Sequence, residues 1–495
     1  MNLTGIFKNY VQFKINGPGG IWPSGLLVTL TGILKEVKTE RLKFGLRQSM
    51  HFRVHKIYCD YCCRQLEKAG ILYEADSDAY PNVMSSYPAA GIFSPASWLT
   101  EGVYRDILDE LQFRPRLKIN ICDIHQSFTP FFTGNVNWIS SAIPHYWHLY
   151  IRFPGTNSVY AWKELFYTNE LMRFSRQLDS RMSDFRPVNE VQCKVAGEQL
   201  QLVMKSRGGT TIPKEAEPDF PPFTLSYYEG FNAFQDHYWL GIYRRDEFFD
   251  VGFLHELGLL SQETRIGQIC STAWKSLIIK GIEDKDRPKW IRLLNRYQIN
   301  LRHALNELNF QVEDDSPSGL ALKHFLVKRF NDADIRTTGI CFGIKTRSKA
   351  EIFSSILIRK KYLFHLLGLD FIPVYDIFAA KDFNPNERSE YLIGKSLFRY
   401  LVPDQLIACI RSYYRFRLED PLWQEKLIPG AGVDSSDAGQ PEYFFQCRQC
   451  LSLAEFIPPE VLPWGYRCSV CEAPPGEFEL KKKRELYFPD TGIQV

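Results

Sequence analysis

Four cysteines near the C-terminus are the residues best placed to do chemistry. They form two Cys-x-x-Cys pairs, CRQC and CSVC, with seventeen residues between the pairs. Each pair can aim two thiolates at one ion, and two pairs complete a tetrahedral site that suits iron or zinc. The sequence therefore predicts a metal site at Cys447, Cys450, Cys468 and Cys471.

The residues around these pairs resemble a rubredoxin more closely than a generic zinc ribbon. An aromatic strand, EYFFQC, leads into the first pair, LPWGYRC leads into the second, and CEAPPGEFEL follows it. The resemblance implies one iron held by the four cysteines above a small aromatic core of Tyr443, Tyr466 and Phe478. Leu451 and Glu472 stand where rubredoxins place glycines, which let the backbone donate to the sulfurs without strain. That departure keeps zinc open as the alternative metal.

Other cysteines and histidines carry weaker signals. Cys59, Cys62 and Cys63 in YCDYCC have ligand-like spacing but no second pair, so we interpret them as buried thiols at the start of a helix. His125, beside Cys122, is interpreted as a locally bonded histidine rather than a metal ligand.

Length and composition indicate a globular protein with more than one core. The chain has 495 residues, 45% of them hydrophobic, and a net charge of +3, whereas single cores stop growing at about 250–300 residues. The basic run KKKR is too short to indicate a nucleic-acid arm, the N-terminal segment lacks a charged region followed by an apolar one, and no apolar stretch reaches eighteen residues. We expect a cytoplasmic protein without nucleic-acid or membrane partners, and its twelve cysteines to be metal ligands or buried thiols.

Two polar segments divide the chain. The first segment separates two halves in which strands and helices follow one another in the same order, and the second segment precedes the cysteine-rich tail. SRGGTTIPKEAEPDFPPF (206–223) reads as a boundary between halves, and PGAGVDSSDAGQP (429–441) as a linker. The first half begins with an alternating strand, a Gly/Pro turn, a helix and a second alternating strand. The second half offers a strand, a turn, a helix and a strand at 273–282, and a further helix follows in each half. The helical pattern of the first half consists of Leu26, Leu27, Leu30, Ile33 and Leu34.

This duplication predicts the α+β class, as a pair of ferredoxin-like half-domains. The pair resembles the siroheme-dependent nitrite and sulfite reductases. FGLRQSMHFRV looks like that family's Thr-Arg-Gln strand and places Arg47 and Gln48 on its anion-facing positions. STAWKSLIIKGI looks like the Thr-Pro-Trp-Gln/Lys strand and matches Thr272, Trp274 and Lys275.

Further segments extend the resemblance over most of residues 1–428. YPNVMSSYPAAGIFSPASWLTEGVYRDILDEL is similar to the family's Arg-Asn-Val segment, and RPRLKINICDIHQSF to its Pro-Arg-Lys-Phe-Lys strand, which adds Arg116 and Lys118. LVPDQLIACIRSYYRFRLEDPLWQEKL resembles the closing helical tail. The implied parts are two half-domains at 1–75 and 226–305, two reductase-like lobes at 76–225 and 306–428, the linker, and a rubredoxin-like domain at 442–495.

The resemblance fails at the cysteines that such a reductase needs. A [4Fe-4S] cluster bridged to siroheme takes four cysteines, but IRTTGIC offers Cys341 with Ile335 in its partner's place, and NICDIHQSF offers Cys122 alone. Pro81 replaces the arginine before Asn82. No [4Fe-4S] cluster is therefore expected, and siroheme stays possible. The candidate anion- or siroheme-binding residues are Arg47, Arg116, Lys118 and Lys275.

These patterns favour a redox protein that carries a one-electron Fe(Cys)4 site beside a degenerate reductase lobe. The expected partner is a nitrite or sulfite reductase or its electron donor. Two alternatives stay open. One is a siroheme-binding nitrite/sulfite reductase fed by its own rubredoxin, which would make the chain an oxidoreductase. The other is a structural or regulatory subunit with a zinc knuckle.

Overall fold

The computed structural model divides the chain into two units, Met1–Phe416 and Arg417–Val495. The residues that the structure describes are 9–94, 97–205, 210–347, 352–366, 369–387, 389–419, 443–448 and 473–482.

The first half-domain is an antiparallel sheet with helices packed on one face. Its elements are β1 (Tyr10–Ile15), β2 (Ile21–Pro23), α1 (Ser24–Glu36), β3 (Arg41–Phe44), β4 (Met50–His55), α2 (Lys56–Lys68) and β5 (Glu74–Ala75). Leu27, Leu30 and Leu34 recur at helical spacing, so α1 buries one stripe. Phe52 and Val54 alternate along β4 and face the same core.

The second half-domain repeats this order. Its elements are β12 (Gly230–Phe234), β13 (His237–Ile242), β14 (Phe248–Asp250), α6 (Val251–Glu263), β15 (Gln268–Ser271), β16 (Leu277–Ile282) and α7 (Arg287–Arg296). Asp250 caps α6, because its side chain accepts a hydrogen bond from the Phe253 backbone N–H at 2.9 Å. Helices α1 and α6 pack against each other, and both halves contribute to one hydrophobic core.

Each half-domain lends one short strand to the sheet of the other. The first sheet has the order β5-β1-β4-β3-β14, and the second has the order β12-β13-β16-β15-β2. Strand β14 precedes α6 but pairs with β3, and β2 precedes α1 but pairs with β15. The two sheets are therefore related by an approximate two-fold exchange of edge strands.

The two lobes also share one sheet pattern, in which three parallel strands continue into antiparallel ones. The first lobe has the order β6-β7-β8-β9-β10-β11, with β6, β7 and β8 parallel. Its elements are β6 (Met84–Ser85), α3 (Glu101–Asp109), β7 (Ile119–Cys122), β8 (Val136–Ser140), β9 (Tyr146–Ile151), β10 (Tyr160–Tyr167), α4 (Leu171–Arg181), α5 (Glu190–Lys205) and β11 (Thr211–Pro213).

The second lobe has the order β17-β18-β19-β20-β21, with β17, β18 and β19 parallel. Helix α10 corresponds to the predicted closing helix, whose remaining residues lie outside the described part of the chain. The elements are α8 (Leu305–Leu308), β17 (Phe310–Val312), α9 (Pro317–Asp332), β18 (Phe342–Lys345), β19 (Ile356–Leu366), β20 (Leu369–Ala380), β21 (Glu390–Leu397) and α10 (Val402–Glu419).

Short 3-10 turns complete the described structure. They lie at Pro18–Gly20, Tyr87–Ala89, Thr168–Glu170, Met182–Asp184, Asp284–Asp286, Lys381–Phe383 and Pro475–Glu477. In the second unit, β22 (Tyr443–Cys447) and β23 (Phe478–Lys482) form an antiparallel pair. Among the described helices, none combines the length and the apolar character that a membrane span requires.

The α+β class is confirmed, while several predicted elements have different bounds. The strand expected at 273–282 begins only at Leu277, because 272–276 is a tight turn after β15. The first half's second strand is likewise two strands, β3 and β4, joined by a turn. Residues 211–213 of the expected boundary segment form an edge strand of the first lobe. The domain boundaries remain predictions.

Candidate functional site

Two of the four candidate cationic residues lie in equivalent turns of the half-domains. In the first, Gly45 N–H donates to Ser49 O and Gln48 N–H donates to Gly45 O. In the second, Thr272 N–H donates to Ser276 O and Lys275 N–H donates to Thr272 O. Gln48 has φ 63° and Lys275 has φ 55°, so both turns use the same left-handed position. Arg47 thus corresponds to Trp274, and Gln48 to Lys275.

In the first turn, both side chains bind the first lobe. The Arg47 guanidinium donates to Asn82 O at 2.9 Å, to Ile119 O at 2.9 Å and to Asn120 Oδ1 at 3.1 Å. Gln48 is buried and exchanges two 2.9 Å hydrogen bonds with the backbone of Ser85. The resemblance assigned Arg47 to an anion, but its donors are directed at protein oxygens. It works here as a cross-link between half-domain and lobe.

Lys275 occupies a buried position between carboxylates. Its Nζ lies 2.7 Å from Glu247 Oε2 and 3.2 Å from Asp314 Oδ1. Burial by itself would lower the pKa of Lys275, but the two carboxylates outweigh burial and raise the pKa above its usual value. Asp314 also accepts from the Leu46 N–H of the other turn at 3.2 Å. Two carboxylates therefore neutralise the charge of Lys275 in this structure, and its assignment to an external anion stays a prediction.

The face of the first sheet that is turned toward the lobes is basic, and acidic residues cover it. Its basic side chains are Lys14, Lys43, His51 and Arg53. Lys14 pairs with Glu74 at 2.6 Å and with Asp78 at 2.5 Å. Asp315 binds Lys43 and lies 3.7 Å from Arg53. We call this set of ion pairs the first-sheet charge cluster.

Arg116 and Lys118 do come together, in a cleft between the sheets of the two lobes. Its volume is about 540 Å³. We call this cavity the basic cleft, because five basic side chains and two acidic ones line it. The basic ones are Arg116, Lys118, Arg152, Lys345 and Arg359, and the acidic ones are Glu387 and Glu390. Arg359 pairs with Glu390 at 3.2 Å, whereas Arg116 is exposed and forms no ion pair with a described residue.

The segment predicted as the Pro-Arg-Lys-Phe-Lys strand explains this placement. Strand β7 begins only at Ile119, so Arg116 and Lys118 precede it at the edge of the sheet. The backbone N–H of Arg116 donates to Asp179 Oδ1 at 2.8 Å, which holds the extended segment against α4. Sequence reasoning missed Arg152, Lys345 and Arg359, because they come from separate strands and no local pattern connects them. Only the folded sheets place the five basic residues around one cleft.

The described cysteines do not fit the cluster that the reductase resemblance implies. Cys122 is buried with its Sγ 3.5 Å from Pro130 O, and burial raises its pKa. Cys341 is buried 3.6 Å from Ser355 Oγ, and burial raises its pKa to about 12. Among described residues, no group of three His, Cys, Asp or Glu could hold a metal ion. With Arg47 and Lys275 engaged elsewhere, these residues do not fit a joined siroheme and iron-sulfur centre.

The structure also describes the cysteines and the histidine that carry the weaker sequence signals. Cys59, Cys62 and Cys63 lie on α2; Cys62 is buried, and burial raises its pKa to about 12. Cys59 and Cys63 are partly buried, and burial raises the pKa of Cys59, which fits thiols better than thiolate ligands. His125 is exposed, and its backbone N–H donates to Asp123 at 3.0 Å.

In the second unit, the strand pairing frames part of the predicted metal site. Strand β22 ends at Cys447, which is paired with Phe478 at the start of β23. The Arg448 N–H then donates to Glu477 O at 2.8 Å, so the chain turns directly after Cys447. Cys450, Cys468 and Cys471 lie outside the described residues, as does Tyr466.

Comparison with known proteins identifies the fold. No protein-family model and no curated protein matches the sequence. Among solved structures, the chain is similar to the NirA protein of Mycobacterium tuberculosis, with a TM-score of 0.64 over 84% of this chain and 83% of that protein. The identity is 14%, so the similarity concerns the fold. The chain has a nitrite/sulfite reductase-like fold.

Proposed function

We propose that the chain is a one-electron redox protein, in which a reductase-like scaffold carries a rubredoxin-type iron site at its C-terminus. The iron would be held by Cys447, Cys450, Cys468 and Cys471. Bound by these four thiolates, the iron would supply one-electron exchange between a reduced donor protein and an acceptor. We infer that the acceptor or donor is a nitrite or sulfite reductase.

The pairing of β22 with β23 is the observation that carries this proposal. It joins the strand entering the first Cys-x-x-Cys pair to a strand that begins seven residues after the second pair. Seven residues span at most about 25 Å, so the length of the chain allows the second pair to reach the first. Such a closed four-thiolate site leaves no coordination position for a substrate, which favours electron transfer over bond chemistry.

The basic residues of the reductase-like unit also bear on the proposed function. Arg47 and Lys275 are engaged by protein oxygens, and no described cluster could bind a metal. The basic cleft combines an exposed Arg116 with four further cationic side chains, of which Arg152 donates to backbone carbonyls and Arg359 pairs with Glu390. We propose that this cleft binds a small oxyanion such as nitrite or sulfite, since charge-assisted hydrogen bonds from arginine suit oxyanions.

The metal is tested by metal analysis and the visible spectrum of the full-length protein. We expect one iron per chain, a ferric thiolate absorption, and loss of that absorption on addition of one electron equivalent. One zinc in a colourless protein would instead support the structural-knuckle alternative. Tetrapyrrole bands would support the siroheme enzyme.

Two matched cysteine substitutions locate the metal. Cys468→Ser should release the iron and abolish the colour, because three thiolates no longer close the site. Cys59→Ser removes a partly buried thiol on α2 and should keep both iron and colour. If Cys468→Ser retains the full iron content and spectrum, the site assignment is wrong.

The oxyanion site is tested separately by calorimetric titration of the full-length protein with sulfite and with nitrite. Arg116→Glu should weaken binding by about tenfold or more, because it replaces an exposed guanidinium with a negative charge. Arg176→Glu, a substitution of an arginine outside the cleft, is the control and should change the affinity little. Equal affinities in the wild type and in Arg116→Glu would reject the cleft as the binding site.

A further inference from the structure

A second cavity, distinct from the basic cleft and from the four cysteines, lies on the lobe-facing side of the second sheet. Its volume is about 360 Å³. One wall comes from β12, β13, β15 and β16, and the other from residues 90–92 and helix α3. Ligand sites of small molecules are typically of about this size or larger. We call it the Arg105–Arg265 cavity, after two of its lining residues.

The charges in this cavity do not cancel. Glu101 and Lys280 form an ion pair with each other, and Lys280 also donates to Tyr87 O at 3.2 Å and Ala90 O at 3.1 Å. Arg105 and Arg265 are both exposed and form no ion pair with any described residue. The only hydrogen bond of the Arg105 side chain to the described residues is a long one, 3.5 Å to Tyr87 Oη. The cavity therefore carries two uncompensated guanidinium groups.

The remaining lining of the cavity mixes aromatic and apolar side chains with the polar Gln235, His237 and Gln268. Phe234 is 39% exposed and Trp239 is 6% exposed, and both line the same space. The floor includes Cys270, a buried thiol that stays uncharged because burial raises its pKa to about 11. A Cβ atom placed on Gly267 or Gly281 would meet no protein atom within 4 Å. The backbone at these glycines leaves room for a ligand to approach closely.

We propose that the Arg105–Arg265 cavity binds a small aromatic anion, with its ring against the aromatic wall and its carboxylate or phosphate at the two arginines. Guanidinium groups present planar, paired donors that match both kinds of acidic group. Aromatic side chains offer large apolar contact area to a flat ring. A cation is disfavoured by the two arginines, and a neutral ring leaves them unpaired.

The test is calorimetric titration of the full-length protein with two aromatic anions, adenosine 5′-monophosphate and indole-3-acetate. Their neutral counterparts, adenosine and indole, serve as reference ligands. We expect at least one anion to bind, at least about tenfold more tightly than its neutral counterpart. The phosphate and carboxylate arms show which acidic group the cavity prefers.

Three variants place the binding in the cavity. Arg265→Glu reverses one charge and Gly267→Val fills the open space, so each should weaken binding of the anion by about tenfold or more. Gly32→Ala adds a methyl group to α1, where there is also open space but no cavity, and should leave the affinity unchanged. The proposal is overturned if neither anion binds, or if Arg265→Glu or Gly267→Val binds as tightly as the wild type.

Discussion

The two half-domains have equivalent backbones, but their lobe-facing surfaces differ in whether the charged side chains form ion pairs. In the first sheet, the first-sheet charge cluster fills that surface with ion pairs. In the second sheet, Arg53 is replaced by Lys280 at the equivalent position, and a cavity with two uncompensated arginines lies there. The same contrast holds in the equivalent turns, since Gln48 is satisfied by backbone groups while Lys275 needs two carboxylates. Duplication thus repeats the strands and turns, while the partners of each buried charge are particular to its half.

The largest expected effect comes from removing the buried cation of the second turn. Lys275→Met leaves Glu247 and Asp314 without their shared partner, and breaking a buried pair in this way costs about 3–5 kcal/mol of unfolding free energy. Urea unfolding of the full chain measures the loss. Lys285→Ala, which breaks an exposed pair with Glu283, should cost about 0–1 kcal/mol. A cost for Lys275→Met as small as that control would mean that the carboxylates are solvated without the lysine.

The equivalent change in the first turn should cost less, because no charge is left behind. Gln48→Ala leaves the buried N–H and C=O of Ser85 without these hydrogen bonds, an expected loss of about 2–3 kcal/mol in the same urea experiment. Gln262→Ala on the exposed surface of α6 is the control and should stay within about 0.5 kcal/mol. If Gln48→Ala destabilises the chain more than Lys275→Met, the contrast between the two turns is wrong.

His51 on β4 should give the first sheet a pH-dependent contribution to stability. Burial lowers the pKa of His51, and the neighbouring Lys43 and Lys14 lower it further, although Asp314 and Asp315 oppose the shift. Because the folded state then binds fewer protons, this contribution to stability is complete above about pH 6.5 and is lost as the pH falls below it.

His51→Gln isolates that contribution, since the equivalent position in the second sheet is Ile278, which does not titrate. Between about pH 7.5 and about pH 5.5, the wild type should lose about 1 kcal/mol more unfolding free energy than His51→Gln. Paired urea titrations at the two pH values measure the difference. Identical losses in the two proteins would show that His51 takes up its proton without cost in the folded state.

The smallest effect is expected where the two halves meet at an exposed edge. Arg41 on β3 lies 3.8 Å from Asp246, just before β14, and both side chains are largely solvated. Arg41→Ala should therefore change the unfolding free energy by less than about 0.5 kcal/mol. A larger loss, measured by thermal or urea unfolding, would indicate that this ion pair helps the backbone hydrogen bonds to hold β14 against β3.

The repeated pattern of strands and helices could be predicted from the sequence, because Leu27, Leu30 and Leu34 recur at helical spacing and Phe52 and Val54 alternate. The turns could not, since 45–49 and 272–276 carry apolar residues and no glycine at their left-handed positions. The sequence pattern consequently predicts strands at Arg47, Gln48 and Lys275, where the structure has turns.

The candidate sites show the same limit. The sequence predicts Arg116 and Lys118 because they are neighbours in one segment, whereas Arg152, Lys345 and Arg359 come from distant strands. The engagement of Arg47 and Lys275 depends on carbonyls and carboxylates far away in the chain, such as Ile119 O and Asp314. Local sequence shows that a residue is charged, but only the tertiary structure shows whether that charge already has a partner.

The exchange of β2 and β14 between the sheets has the geometry of an isologous dimer fused into one polypeptide. In a symmetric pair of identical subunits, each would give one edge strand to its partner, and neither subunit would complete its sheet alone. A single half-domain cut from this chain would have an open edge along β3 or β15 that invites pairing with a second copy. Covalent linkage of the two copies frees each to change its own charged residues, since a substitution in one is no longer repeated in the other.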